Sequence, residues 1–287
     1  MPPELVECVA NVSEGQDEAV LRRLSEAAAS SLLDLHRDPD HHRSVFTLAG
    51  PPEVVSDAAR ALARAAVDLI DLRRHEGVHP RMGALDVVPF VPYVPGDRPP
   101  RGLMAALELR DEFAHWLAAE LAVPSFLYGP LDGGGARSLP DLRRLAFAPP
   151  QEGGLEPDVG PRSPHPTAGA TAVGARPVLV AYNVWVSSLE TARAVAPHVR
   201  NEQVRVLALA VGERAQVSCN LIDPASYGPA RLYDAVAALV AEAGGAVEGG
   251  ELVGLIPSAV LADIPPGRYE ELGLSPDRTI ESRLTPD

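Results

Sequence analysis

The chain has 287 residues, 46% of them hydrophobic and 22% charged, a composition that suits one large globular domain or two smaller ones. Its 25 basic and 39 acidic residues leave a net charge of −14, which disfavours nucleic acid and anionic membrane surfaces as partners. Every basic residue is an arginine, so Schiff-base catalysis and a lysine phosphate loop are excluded, and an anionic substrate must be held by guanidinium forks.

Leu5–Val12 reads as a strand, closed by the polar turn Asn11-Val-Ser-Glu-Gly15 with Ser13 placed as a helix cap. Residues 17–29 carry Val20, Leu21, Leu24, Ala27 and Ala28 at helical spacing. A strand at Leu32–His36 runs into the dense polar loop Arg37-Asp-Pro-Asp-His-His-Arg43, and a second strand follows at Ser44–Ala49. Residues 53–71 form a long helix. The segment 71–86 then packs His75, His79, Arg73, Arg74 and Arg81 into a turn punctuated by Gly77, Pro80 and Gly83. Leu85–Tyr93 is the next strand, which completes a β-α-β-β-α-β order.

An amphipathic helix at 101–121 and a short strand at Ser125–Tyr128 come next. From Gly129 to Arg176 the chain is rich in Gly, Pro and Ser and reads as a functional loop or linker, with Leu139, Leu142 and Leu145 as its apolar anchors. The second half repeats the first order: strand 178–186, helix 188–199, strands 203–210 and 215–222, helix 228–243 and a strand near 247–254. The fold class expected is therefore α+β, with two ferredoxin-like subdomains whose sheets pack face to face and whose helices lie outside. The linker 129–176 is grouped with the first subdomain, 1–176, and the second spans 177–287. Cys8 and Cys219 fit neither a metal spacing nor a disulfide framework, and the chain shows no signal sequence and no long apolar run. A cytoplasmic protein without a membrane segment is expected.

The polar loops carry the chemistry. Titratable side chains on loops held by a rigid scaffold are the usual place for it. His36, Asp38, Asp40, His41 and His42, together with His75 and His79, have the residue types of a divalent-metal site. They equally suit a substrate-binding loop or a solvated turn, so a metal-dependent enzyme stays open on residue types alone.

A set of ordered motifs narrows the choice. Glu7-Cys-Val-Ala-Asn-Val-Ser-Glu-Gly15, Arg74-His-Glu-Gly-Val-His-Pro-Arg-Met-Gly-Ala-Leu-Asp86, Gly160-Pro161, Gly169-Ala-Thr-Ala-Val-Gly-Ala-Arg176, Ala215-Gln-Val-Ser218 and Leu252-Val-Gly-Leu-Ile-Pro257 stand in sequence. Together they resemble the glutamate formimidoyltransferase family, over residues 5 to about 284 and with nothing left for a cyclodeaminase domain. The resemblance implies transfer of a formimino group from N-formimino-L-glutamate to the 5-nitrogen of tetrahydrofolate, releasing glutamate, in histidine degradation and one-carbon metabolism. It implies tetrahydrofolate as co-substrate, no metal, small-molecule partners only and a homodimer.

Carried over residue by residue, the family's catalytic histidine is His79 and its folate-binding segment runs from Gly160 and Pro161 to Gly169. A histidine suits the task of taking a proton from the attacking nitrogen and delivering one to the leaving glutamate. Asp38 and Asp40 are candidates to stabilise the cationic tetrahedral centre. Arg43, Arg81 and Arg176 are candidates for the carboxylates of glutamate and folate. Two positions depart from the family pattern: His36 stands near a family aspartate, and Ala168 where the family has an aromatic ring. A changed donor, a folate-binding member without transfer, or a metal-dependent enzyme using the His36–His42 loop are the alternatives.

Overall fold

The computed structural model describes residues 5–76, 81–94, 103–146 and 154–284. The chain divides after Arg176 into two compact units.

The first unit opens with β1 (Leu5–Val12), α1 (Glu18–Ala27), β2 (Leu32–Asp38), β3 (Arg43–Gly50), α2 (Pro52–Leu69) and β4 (Leu85–Tyr93). Asp17, not Ser13, caps α1: its carboxylate accepts from the amides of Ala19 and Val20. Pro52 begins α2, where a missing N–H costs nothing. After α3 (Leu103–Leu121) and β5 (Ser125–Pro130), the stretch expected to be a linker proves to carry regular elements of its own. It holds β6 (Ala136–Arg137), α4 (Leu139–Ala146) and β7 (Thr171–Ala175). The sheet order is β2-β3-β1-β4-β7-β5-β6, seven strands where four were expected. The extra strands extend the sheet beyond β4, and β7 runs parallel to both of its neighbours, β4 and β5.

Helices α1, α2 and α3 cover one face of this sheet. Leu24, Leu62, Phe113 and Leu117 meet Cys8, Phe46, Leu48 and Phe90 there. Strand alternation sends Val87, Phe126 and Ala172 to the other face, where Leu142 of α4 packs on them with Tyr128. A helix therefore lies on each side of this sheet.

The second unit comprises β8 (Val180–Val186), α5 (Leu189–Val199), β9 (Val204–Val211), β10 (Arg214–Leu221), α6 (Pro229–Glu242) and β11 (Val247–Val253). Its sheet has the order β11-β8-β10-β9 and is antiparallel throughout. Tyr182, Val184, Val217 and Leu252 pack against Val195, Leu232 and Val236 of the two helices. Three short helices end the described chain: α7 (Ser258–Leu261), α8 (Tyr269–Leu272) and α9 (Ile280–Leu284). Among the described residues no helix is long and apolar enough to cross a membrane.

Candidate active site

The two polar loops that stand out in the sequence meet at one end of the first sheet. The turn after β1 is the hinge of the arrangement. The Glu14 carboxylate accepts the amides of Gly15, Gln16 and Asp17 at 2.8, 2.7 and 2.9 Å, which fixes the turn that leads into α1. Gly15 lies so close to the β2–β3 turn that a Cβ there would fall 2.3 Å from the Asp38 carbonyl oxygen. Ser44 Oγ donates to the Glu14 carbonyl at 2.6 Å, and Arg37 Nε donates to the Gly15 carbonyl at 2.8 Å. On the other side, the Ser13 hydroxyl donates to the Gly83 carbonyl at 2.8 Å. One short turn thus joins both polar loops.

Within the β2–β3 turn, Asp38 accepts from the His41 amide at 2.8 Å and from the His41 ring in a shorter contact. Burial would raise the Asp38 carboxyl, but those hydrogen bonds and the nearby His41 and His36 hold it below its ordinary value. Asp40 is exposed at the tip of the turn, and His36 lies on β2 opposite Val45. His42 takes a left-handed backbone conformation, φ 49°, uncommon for a residue with a side chain. Its ring stacks on that of His75 with centroids 3.9 Å apart. Arg81 Nη1 lies 2.9 Å from His75 Nε2. His79 lies outside the described residues. Among the described residues no group of three or more His, Cys, Asp or Glu side chains is disposed to hold a metal ion.

Three arginines converge around Asp86. Its carboxylate accepts from the Met82 amide at 2.6 Å and pairs with Arg143. Burial lowers the Arg43 guanidinium to about 10 against the pull of Asp86, with Arg143 and Arg81 pushing the same way as burial. Burial lowers Arg81 too, again opposed by Asp86. At about 10, Arg43 remains cationic at neutral pH. Arg43 also donates to Asn11 Oδ1 in a short contact. Arg176, at the end of β7, hydrogen-bonds Tyr128, whose hydroxyl is pushed up to about 12, chiefly by burial. Arg143 acts electrostatically on both Arg43 and Tyr128, which links Arg176 to the group. In a chain of net charge −14, four arginines gathered around the buried Asp86 make a local site for carboxylates.

The segment expected to bind folate is fixed beside this group at one end. Thr167 and Ala168 carbonyls accept the amides of Leu72 and Ala84 at 2.9 and 2.8 Å, and the Met82 carbonyl accepts the Ala170 amide at 3.0 Å. Gly169, φ +72°, sits where a Cβ would be 2.3 Å from the Met82 carbonyl oxygen. The other end lies apart: Gly160 is against Ala118 of α3, and Pro161 is exposed. Ala168 turns its methyl into the core of the unit.

The formiminotransferase domain, N-terminal subdomain, matches residues 5–176. The chain belongs to the formiminotransferase family. It is 36% identical over 279 residues to the glutamate formimidoyltransferase of Streptococcus pyogenes serotype M1, an alignment covering 91% of this chain and 92% of that one. The glutamate formimidoyltransferase of Thermoplasma acidophilum is 33% identical over 300 residues, 98% of this chain and 97% of that one. The formimidoyltransferase-cyclodeaminase of Sus scrofa is 37% identical over 285 residues, 91% of this chain but 51% of that one. The chain therefore spans about half the length of the two-function relatives and nearly the whole of the single-function ones.

Sequence reasoning placed Asp38, Arg43 and Arg81 in loops that the structure joins. Glu14, Asp86 and Arg143 were not among the expected site residues, and His42 and His75 were expected only as members of a metal-type or substrate-binding cluster, not as a stacked pair. Glu14 carries a weak signal, a carboxylate followed by glycine in the polar turn between a strand and a helix. Arg143 carries none, since it stands in a stretch that reads as linker.

Proposed function

We propose that this chain transfers the formimino group of N-formimino-L-glutamate to the 5-nitrogen of tetrahydrofolate and releases glutamate. The likeness to glutamate formimidoyltransferases over 91% of this chain and 92% of the relative carries the reading. The arginine group supports it, because donor and product are dicarboxylates and the folate tail is another carboxylate. The two units are read as ferredoxin-like subdomains of a formiminotransferase, split at Arg176. The strand orders β2-β3-β1-β4 and β11-β8-β10-β9, each built from a β-α-β-β-α-β run, support that. A homodimer in the cytoplasm is the working assembly.

In the reaction the 5-nitrogen attacks the formimino carbon and loses its proton. The bond from that carbon to the glutamate nitrogen then breaks, and the nitrogen leaves protonated. His79 takes the first proton and gives the second, a role that rests on its motif. Asp38, kept ionised by His41, stabilises the cationic centre between the two steps. Arg43 and Arg81 hold donor carboxylates. Arg176 and the Gly160–Gly169 segment hold tetrahydrofolate.

The test is direct. Purified protein with both substrates should form 5-formiminotetrahydrofolate, followed by absorbance, and chelator should leave the rate unchanged. No product with both substrates present, or a rate abolished by chelator and restored by a divalent ion, would overturn the reading.

A further inference from the structure

His75 is contested by two neighbours. Its Nε2 lies 2.9 Å from Arg81 Nη1 and 3.0 Å from the His42 carbonyl oxygen. An arginine can only donate and a carbonyl can only accept, so the ring nitrogen satisfies one of them at a time. A hydrogen bond involving a charged group is stronger than one between neutral groups. The Arg81 partnership therefore decides the tautomer: Nε2 carries the lone pair and Nδ1 the proton. Nδ1 is buried and has no hydrogen-bond partner among the described residues, a cost that falls on either neutral tautomer and leaves Arg81 to settle the choice.

The ring is held for this purpose from its other side. His42 stacks on it at 3.9 Å with the planes 21° apart. His42 is fixed in turn, Nδ1 against the Glu76 carbonyl at 2.7 Å and Nε2 against Glu14 at 3.2 Å. The strained backbone at His42, φ 49°, is what places that ring over its neighbour.

We infer that His75, braced by His42, is a positioning residue that orients Arg81 for a substrate carboxylate by accepting a hydrogen bond from its guanidinium. Among the described residues, the charged and titratable groups that face His75 are Arg81 from the loop before β4 and His42 from the β2–β3 turn, with Glu14 behind His42. A second proton on His75 would convert the acceptor into a donor beside Arg81 and break the contact. Affinity for the donor then falls as the pH drops into the imidazole range. The substrate half of this inference rests on the formimino-transfer reading; the tautomer does not.

The experiment has two arms. Long-range proton–nitrogen NMR of the imidazoles, with the His75 signals assigned by their loss in His75→Gln, should show Nε2 unprotonated, and Arg81→Gln should change its shift. An Nε2–H tautomer in the wild type would overturn the inference, whatever the enzyme does. In kinetics, His75→Ala should raise the donor KM about 10-fold, the loss of one hydrogen bond to a charged group, with kcat held within about 2-fold. His75→Gln, which keeps an acceptor but cannot titrate, should restore much of the affinity and remove the rise in KM at low pH. An unchanged KM in His75→Ala, or the same acid rise in His75→Gln, would sink it. Absence of turnover in the wild type would instead overturn the transfer reading and leave the NMR arm to decide.

Discussion

At the scale of single residues, the site is a set of charges held by hydrogen bonds to the backbone. Asp38, Glu14 and Asp86 each accept at least one backbone amide, so their positions follow the chain and not a flexible side chain. Two substitutions separate chemistry from binding. His79→Ala should lower kcat by about 10²–10⁴-fold while tetrahydrofolate affinity by calorimetry stays near wild type; a normal rate would remove His79 from proton transfer. Arg81→Lys keeps the charge but replaces a fork by a point, so the donor KM should rise several-fold. Unchanged kinetics would take Arg81 out of the carboxylate site. The sequence made Arg81 and Asp38 legible because charged residues crowd loops that have nothing to give a core. It could not show that His42 and His75 stack, since 33 residues separate them in the chain and no local pattern marks a contact of that kind.

At the scale of elements, regular helices and strands were readable and the irregular ones were not. Leu85–Tyr93 was read with the bounds it has in the structure, because nine apolar or buried positions run together between polar loops. Thr171–Ala175 was lost inside the presumed linker. It is a strand buried on both faces, so it has no alternation to detect. Its residues are small for a physical reason: at Gly174 a Cβ would lie 2.2 Å from the Tyr128 ring. The same crowding gives a prediction for the segment that leads into it. Gly169→Ala puts a side chain on a left-handed backbone against the Met82 carbonyl. It should cost about 1–3 kcal/mol in urea unfolding and weaken tetrahydrofolate binding as the segment shifts. Wild-type stability and affinity together would show that the segment tolerates what the geometry forbids.

For the whole molecule, the acid limb of stability tests the electrostatics. Asp38 has a carboxyl held below its ordinary value, whereas the unfolded chain returns it to about 3.9. Its contribution is full above that value and is lost as the pH falls through the folded one. Urea midpoints of the wild type should therefore drop more steeply below about pH 4 than those of Asp38→Asn; parallel profiles would mean that Asp38 is not favoured as the anion. The molecule's two-unit plan was legible from the repeated order of elements. The size of the first sheet was not, because its completion depends on a strand far along the chain.

That late strand bears on how the protein is made. β4 pairs through Val87–Phe90 and β5 through Ser125–Tyr128 with residues 171–175, so on a ribosome both earlier strands emerge well before their shared partner. Until then each has an open hydrogen-bonding edge, the template on which nascent chains associate with one another. A nascent chain halted ahead of Thr171 keeps both edges bare, and they are covered only when Ala175 clears the exit tunnel.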